Sequence, residues 1–150
     1  MTPDKIFPLL NGVILGWGCL LFLPKWRHTP AITLLISQLY AVAYGAMLLH
    51  RITLNPESLP LGGGFETLGA VSILFSDRAS LLAGWTHYIS FDLFIARYCV
   101  LDSQERGIPH YLVVPIIPTI LMIGPAGFAI YTCLVVPLHS ALTNNKPKNE

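Results

Sequence analysis

Four apolar runs constrain this chain more than anything else in it. They cover about 6–23, 30–49, 78–101 and 109–137. Each can cross the roughly 30 Å hydrocarbon layer of a bilayer, a distance that takes about 20 helical residues. In lipid every backbone N–H and C=O must find its partner within the segment, so runs of this length predict helices. The expected architecture is all-α: an integral membrane four-helix bundle in a single domain, 1–150.

The punctuation agrees with these runs. Pro24 stops the first, and Lys25-Trp26-Arg27-His28 follows as a basic, aromatic interface anchor. Pro30 suits the first turn of the second run, and His50-Arg51 marks its exit. Ser76-Asp77 are natural N-cap residues before the third. The fourth carries Pro109, Pro115, Pro118, Pro125 and Pro137. Each internal proline removes a backbone donor, so a bend or a restart is expected at Gly124-Pro125-Ala126-Gly127. The link from Thr53 to Phe75 holds Asn55-Pro56, Leu59-Pro60 and Gly62-Gly63-Gly64, all turn signals. Its last part, FETLGAVSILFS over 65–76, is too short to span and is expected as an interfacial or re-entrant helix before the third span. The polar tail TNNKPKNE is expected to fray.

Composition narrows the function classes. Charged residues make up 11 %, against about 25 % in a typical soluble domain. Hydrophobic residues make up 53 %, and mean hydropathy is +0.60. The nine Lys and Arg are scattered and the net charge is +1, so no nucleic-acid partner is expected. Cys19, Cys99 and Cys133 form no CxxC pair and read as small buried hydrophobes. MTPDKIF lacks a basic n-region and a cleavage site, so the chain is expected to be mature as written, with its first run kept as a membrane helix. An even span count puts both termini on one side. That side carries five basic residues against four on the other, which sets no orientation.

Ionisable residues inside a span suggest function by default. In WTHYISFDLFIARYCVLD, 85–102, Asp92 sits near the middle, with His87 before it and Arg97 after it. At 100° per residue Trp85, Tyr88, Asp92, Ala96 and Cys99 share one face, and His87, Phe91, Phe94 and Tyr98 share roughly the opposite one. A partner for Asp92 is therefore expected on another helix. The stripe Thr33, Ser37, Tyr40 and Tyr44 is a candidate. The bland alternative is that Asp92 only ties helices together by hydrogen bonds. Arg97 either snorkels to the interface or pairs with Asp102. DSQERGIPH, 102–110, reads as a turn: a solvated connection, or a polar rim of Asp102 and Arg106 over a cavity. His50 and His139 read as interfacial.

What is missing also counts. The five histidines show no HxxxH or HxxHH spacing, and no CxxCH, GxGxxG, P-loop or G-x-S-x-G is present. No metal and no cofactor are expected, and chemistry at this chain would be acid–base or electrostatic. A transporter would want paired repeats, and none is visible.

LFSD at 74–77, LAGWTHYISFDLFIARYCVLDSQERGIPHYLVVP at 82–115 and GPAGFAIY at 124–131 resemble the abscisic-acid-deficient-four-like membrane protein family. The resemblance covers the whole four-run layout and is most specific in the second half. It implies a small integral membrane protein acting on xanthophylls. In the plant members, needed for neoxanthin formation, violaxanthin is isomerised: an epoxide ring opens and an allene forms without net redox change. Matched by position, the resemblance directs attention to Trp85, His87, Asp92, Arg97, Asp102, Arg106 and His110.

The resulting expectation is a protein that binds a carotenoid or xanthophyll-like lipid and isomerises it, as a xanthophyll epoxide isomerase. Asp92 is the expected acid, His87 or His110 the base, and Arg97 the oxyanion stabiliser. Trp85, Tyr88, Tyr40 and Tyr44 would line the polyene. The alternative is a non-catalytic small subunit of a larger membrane complex, such as a photosynthetic one, that contacts pigments and lipids, with His87 ligating a chlorophyll magnesium or simply buried. Expected partners are a carotenoid or other apolar lipid, membrane lipids, and a larger complex or a homo-oligomer. The expected location is a thylakoid membrane, or the plasma membrane of a photosynthetic bacterium or plastid, crossed several times.

Overall fold

The computed structural model describes residues 3–144, apart from the Ser58 side chain. Met1, Thr2 and the tail from 145 onward lie outside the described residues, so the expected fraying and the sidedness of the two termini lie outside them too. The described residues are helical throughout their ordered elements and include no strand.

Three helices are long and apolar enough to cross a membrane: α1, Pro3–Phe22; α2, Thr29–Leu54; and the last helix, Ile116–Asn144. Between them lie α3, Leu68–Ser76, and α4, Arg78–Glu105. A single turn, α5, His110–Val113, precedes the last helix, which becomes α6. At 28 residues α4 has the length of a span, but it falls outside the apolar class of the other three. Thr86, His87, Ser90, Asp92 and Arg97 dilute its apolar residues.

Prolines explain most irregularities. Pro8 has no N–H to give, and α1 tightens into a 3-10 stretch over Phe7–Gly12. In α6 the backbone leaves helical geometry at Ile123, with φ −144° and ψ 61°, immediately before Gly124-Pro125. Pro137 does not end the helix. The turn before it, Tyr131–Val135, is π-wound, a spacing that accommodates a missing donor, and α6 runs on to Asn144. Two α4 ends follow from local chemistry. Asp77 Oδ2 accepts the Ser80 N–H at 2.8 Å and caps the start, as its position in the sequence predicts. The other end lies four residues beyond the expected 101. Gly107 at φ 68°, with Ile108 N–H on the Ser103 carbonyl at 2.8 Å and Gly107 N–H on Gln104 at 3.2 Å, forms a Schellman closure. Asp102 and Glu105 therefore belong to the helix, not to a loop. The 65–76 stretch is helical from Leu68, with Thr67 Oγ1 accepting from Ala70 N–H at 3.1 Å.

The chain divides into two compact units, Met1–Ile14 with Leu35–Phe91, and Leu15–Leu34 with Asp92–Glu150. In the first, Leu10, Val13, Leu82, Ala83 and Ile89 are buried. Tyr40 Oη donates to the carbonyls of Leu9 and Leu10 at 3.1 and 3.3 Å, and Ser90 Oγ donates to the Ser37 carbonyl at 2.8 Å. In the second, Leu20, Leu93, Val100, Val113, Ile120 and Tyr131 are fully buried. Its polar side chains collect carbonyls around the Pro24 stop. Thr29 takes Leu23 at 2.6 Å, Gln104 takes Pro24 at 2.7 Å, His110 takes Leu21 at 3.1 Å, and Arg97 takes Pro30 at 3.0 Å. The end of α1 leaves its last carbonyls without intrahelical donors, and the contacts to Leu21, Leu23 and Pro24 satisfy them; the Pro30 carbonyl lies in the first turn of α2.

Candidate functional site

Asp92 lies in the second unit and is 7 % exposed. Its carboxyl sits against Gly124: a Cβ built on Gly124 would overlap Asp92 Oδ1 and come within 2.9 Å of Cγ. The two features that stood out in the sequence, a carboxyl within an apolar helix and the GPAG break, thus meet. The break at Ile123 presents a bare glycine backbone, and only glycine admits the carboxyl there. Gly127 is equally committed, since a Cβ would lie 2.6 Å from the Ile120 amide nitrogen.

Asp102 forms the other acidic centre of this unit. Its Oδ2 accepts from Tyr131 Oη at 2.6 Å and from Arg106 Nε at 2.7 Å. The Arg106 guanidinium holds the carboxyl below its usual range; partial burial opposes this, and the Tyr131 hydrogen bond adds to it. Arg97 does not pair with Asp102: its Nε is on the Pro30 carbonyl. His110 Nε2 faces the Leu21 carbonyl, which can only accept. The neutral ring therefore carries its hydrogen on Nε2 and leaves Nδ1 as the basic nitrogen.

The remaining candidates lie in the first unit. His87 is exposed rather than buried, stacked on Phe91 at 4.6 Å and edge-on to Tyr44 at 5.1 Å. Trp85 stacks on Tyr88 at 5.4 Å and tilts against Phe7 at 6.4 Å. The four expected lining aromatics are thus divided. Tyr44 goes with His87 and Trp85 with Tyr88, while Tyr40 spends its hydroxyl on α1.

Two hollows in this unit reflect that division. Trp85, Phe7 and Leu81 border one of about 520 Å³. Tyr44 and His87 border another of about 430 Å³, whose wall includes Leu48, Ile52, Phe65 and Phe75. Arg51 and Ser80 border the second as well. Arg51 reads in the sequence as a helix exit, yet it is 8 % exposed and ion-paired with Asp77, with Ser80 Oγ at 3.2 Å. Burial and the pull of Arg51 and Ser80 oppose one another at Asp77, and the partners prevail, holding its carboxyl below the usual range. Arg51, Ser80, Gly124 and Tyr131 are absent from the sequence-derived set. Gly124 and Tyr131 are the first and last residues of GPAGFAIY, Arg51 reads only as a helix exit, and Ser80 carries no signal.

Among the described residues no cluster of His, Cys, Asp and Glu could hold a metal ion. No curated protein and no solved structure matches the chain. The family model described as ABA DEFICIENT 4-like matches residues 5–131, a stretch that takes in Asp92, the Asp102–Tyr131 pair and the GPAG break. With that match spanning most of its length, the chain belongs to the ABA DEFICIENT 4-like family.

Proposed function

We propose that this chain is a multi-pass membrane protein, related to neoxanthin synthase, that binds a xanthophyll-like lipid and isomerises it without a cofactor, with Asp92 as the acid. In this reading α4 from Arg78 to Leu101 is the fourth span, completing a four-helix bundle in a pigment-bearing membrane, and Asp102 lies beyond it. One observation carries it: a carboxyl 7 % exposed, seated on bare glycine backbone where α6 breaks. Keeping a carboxyl at that position in an apolar setting is costly, and proton relays are among the functions for which such residues are kept. Family membership supports the substrate class.

The chemistry balances within the substrate. A protonated Asp92 gives its proton to an epoxide oxygen as the C–O bond opens. The carbon skeleton then gives a proton to a base as the new double bond forms, and the product is an isomer with no electrons exchanged. His87 and His110 are the candidate bases, and in His110 the accepting atom is Nδ1. Arg97 has terminal guanidinium nitrogens beyond the Nε used at Pro30, and they suit a developing oxyanion.

The test is expression in a host that makes epoxy-xanthophylls. Wild type should convert part of that pool into a product of identical mass. Asp92→Asn keeps the shape and most hydrogen bonds but neither gives nor takes the proton. It should express like wild type and convert nothing. Full conversion by Asp92→Asn would make Asp92 structural. No conversion by wild type would leave the reading of a non-catalytic subunit that contacts pigments.

A further inference from the structure

The cavity of about 430 Å³ in the first unit has a chemistry of its own. At about 30 Å³ per water-sized group it holds on the order of 14 heavy atoms. That is the size of one ring and its substituents, and it lies within the about 300–1,000 Å³ range of small-molecule sites. Phe65 and Ile52 are 81 % and 61 % exposed, so the cavity reaches the surface at an apolar rim. Inside, the polar groups are Arg51, Ser80, Tyr44 and His87.

The charge balance selects the ligand. Arg51 is the cavity's cation, and it is ion-paired with Asp77, whose carboxyl is held ionised. Of the residues that line the cavity none is a carboxylate, and the Arg51 charge is met by Asp77 behind it. The surroundings are therefore close to neutral. They still offer hydrogen-bond donors, the Ser80 hydroxyl, the Tyr44 hydroxyl and the guanidinium, but they disfavour an anion.

We propose that this cavity binds one end of a neutral, largely apolar molecule that carries a hydroxyl or ether oxygen, with Arg51 and Ser80 as the groups that recognise the oxygen. The proposal rests on the xanthophyll reading, for which it names the end-group site.

The test uses the full chain purified in lipid nanodiscs, with all-trans-retinol and all-trans-retinoate as probes. Their apolar bodies match, and only the head differs, neutral in one and anionic in the other. Retinol should bind saturably, one per chain, and retinoate about tenfold more weakly, because a charge enters without a counter-ion. Asp77→Asn keeps the α4 cap but removes the neutralising charge. It should raise retinoate binding about tenfold and abolish the preference. Ala83→Phe and, independently, Leu48→Trp fill the cavity and should weaken retinol about tenfold by exclusion. Non-saturable retinol, equal binding of both probes by wild type, or a preference unmoved by Asp77→Asn would each overturn the proposal. Asp92→Asn should bind retinol like wild type. Wild type that binds retinol but converts no pigment overturns the isomerase reading alone; wild type that converts pigment but binds no retinol overturns the cavity alone.

Discussion

The two units use the same kinds of polar residue for opposite purposes. In the first, charge meets charge: Arg51 with Asp77 beside a cavity, and Arg78 with Asp4 at the surface. In the second, polar side chains mostly meet backbone. Arg97, Gln104, His110 and Thr29 take carbonyls at the ends of α1 and α2. Two arginines in one apolar chain thus have different standing. Arg51 belongs to a cavity wall, whereas Arg97 gives its Nε to a backbone carbonyl in the first turn of α2. An ionisable residue in an apolar helix marks a site more convincingly when its partner is not a backbone carbonyl.

The comparison breaks most sharply at these arginines. Arg51→Met strands Asp77, and removing one member of a mostly buried pair costs about 3 kcal/mol. Arg97→Met removes a single charged hydrogen bond, at about 1.5 kcal/mol. Thermal unfolding in detergent reads the order, and equal losses would erase the distinction between the units. Next comes Gly124→Ala, which should destabilise by about 2 kcal/mol through overlap with Asp92. Added to Asp92→Ala, the same substitution should cost much less, and strict additivity would dissolve the contact. The smallest effect is at Asp102. Tyr131→Phe should cost about 1 kcal/mol. Because the folded carboxyl titrates below its unfolded value of about 4, its contribution is complete above that pH. It is lost as the pH falls through the lower, folded value. Asp102→Asn should flatten that acid limb of a stability–pH curve, and an unchanged limb would remove Asp102 from it.

Local chemistry was the legible part of the sequence. The Asp77 cap acts over three residues, and the disturbance at GPAG follows from proline itself, so both could be read directly. The end of α4 was placed too early because DSQER looks like a loop by polarity, whereas the stop comes from the glycine conformation at 107. Long-range pairing was not legible. Arg51 and Asp77 are 26 residues apart, and Asp102 and Tyr131 are 29 apart. No periodicity in either segment announces the other. His87 is expected either at a ligand or buried; the structure leaves it exposed, stacked on Phe91 and edge-on to Tyr44.

The carbonyls around Pro24 also bear on the order in which the molecule is made. Leu21 and Pro24 receive their side-chain donors from residues 89 and 80 positions later, and Pro30 from one 67 positions later. A ribosome therefore delivers α1 and α2 to the bilayer well before His110, Gln104 and Arg97 exist. Until those residues emerge, the turn between the first two helices must keep its carbonyls in contact with water. The first hairpin to enter the membrane is thus among the last parts to be finished, and its closure waits on the second half of α4 and on the α5 turn.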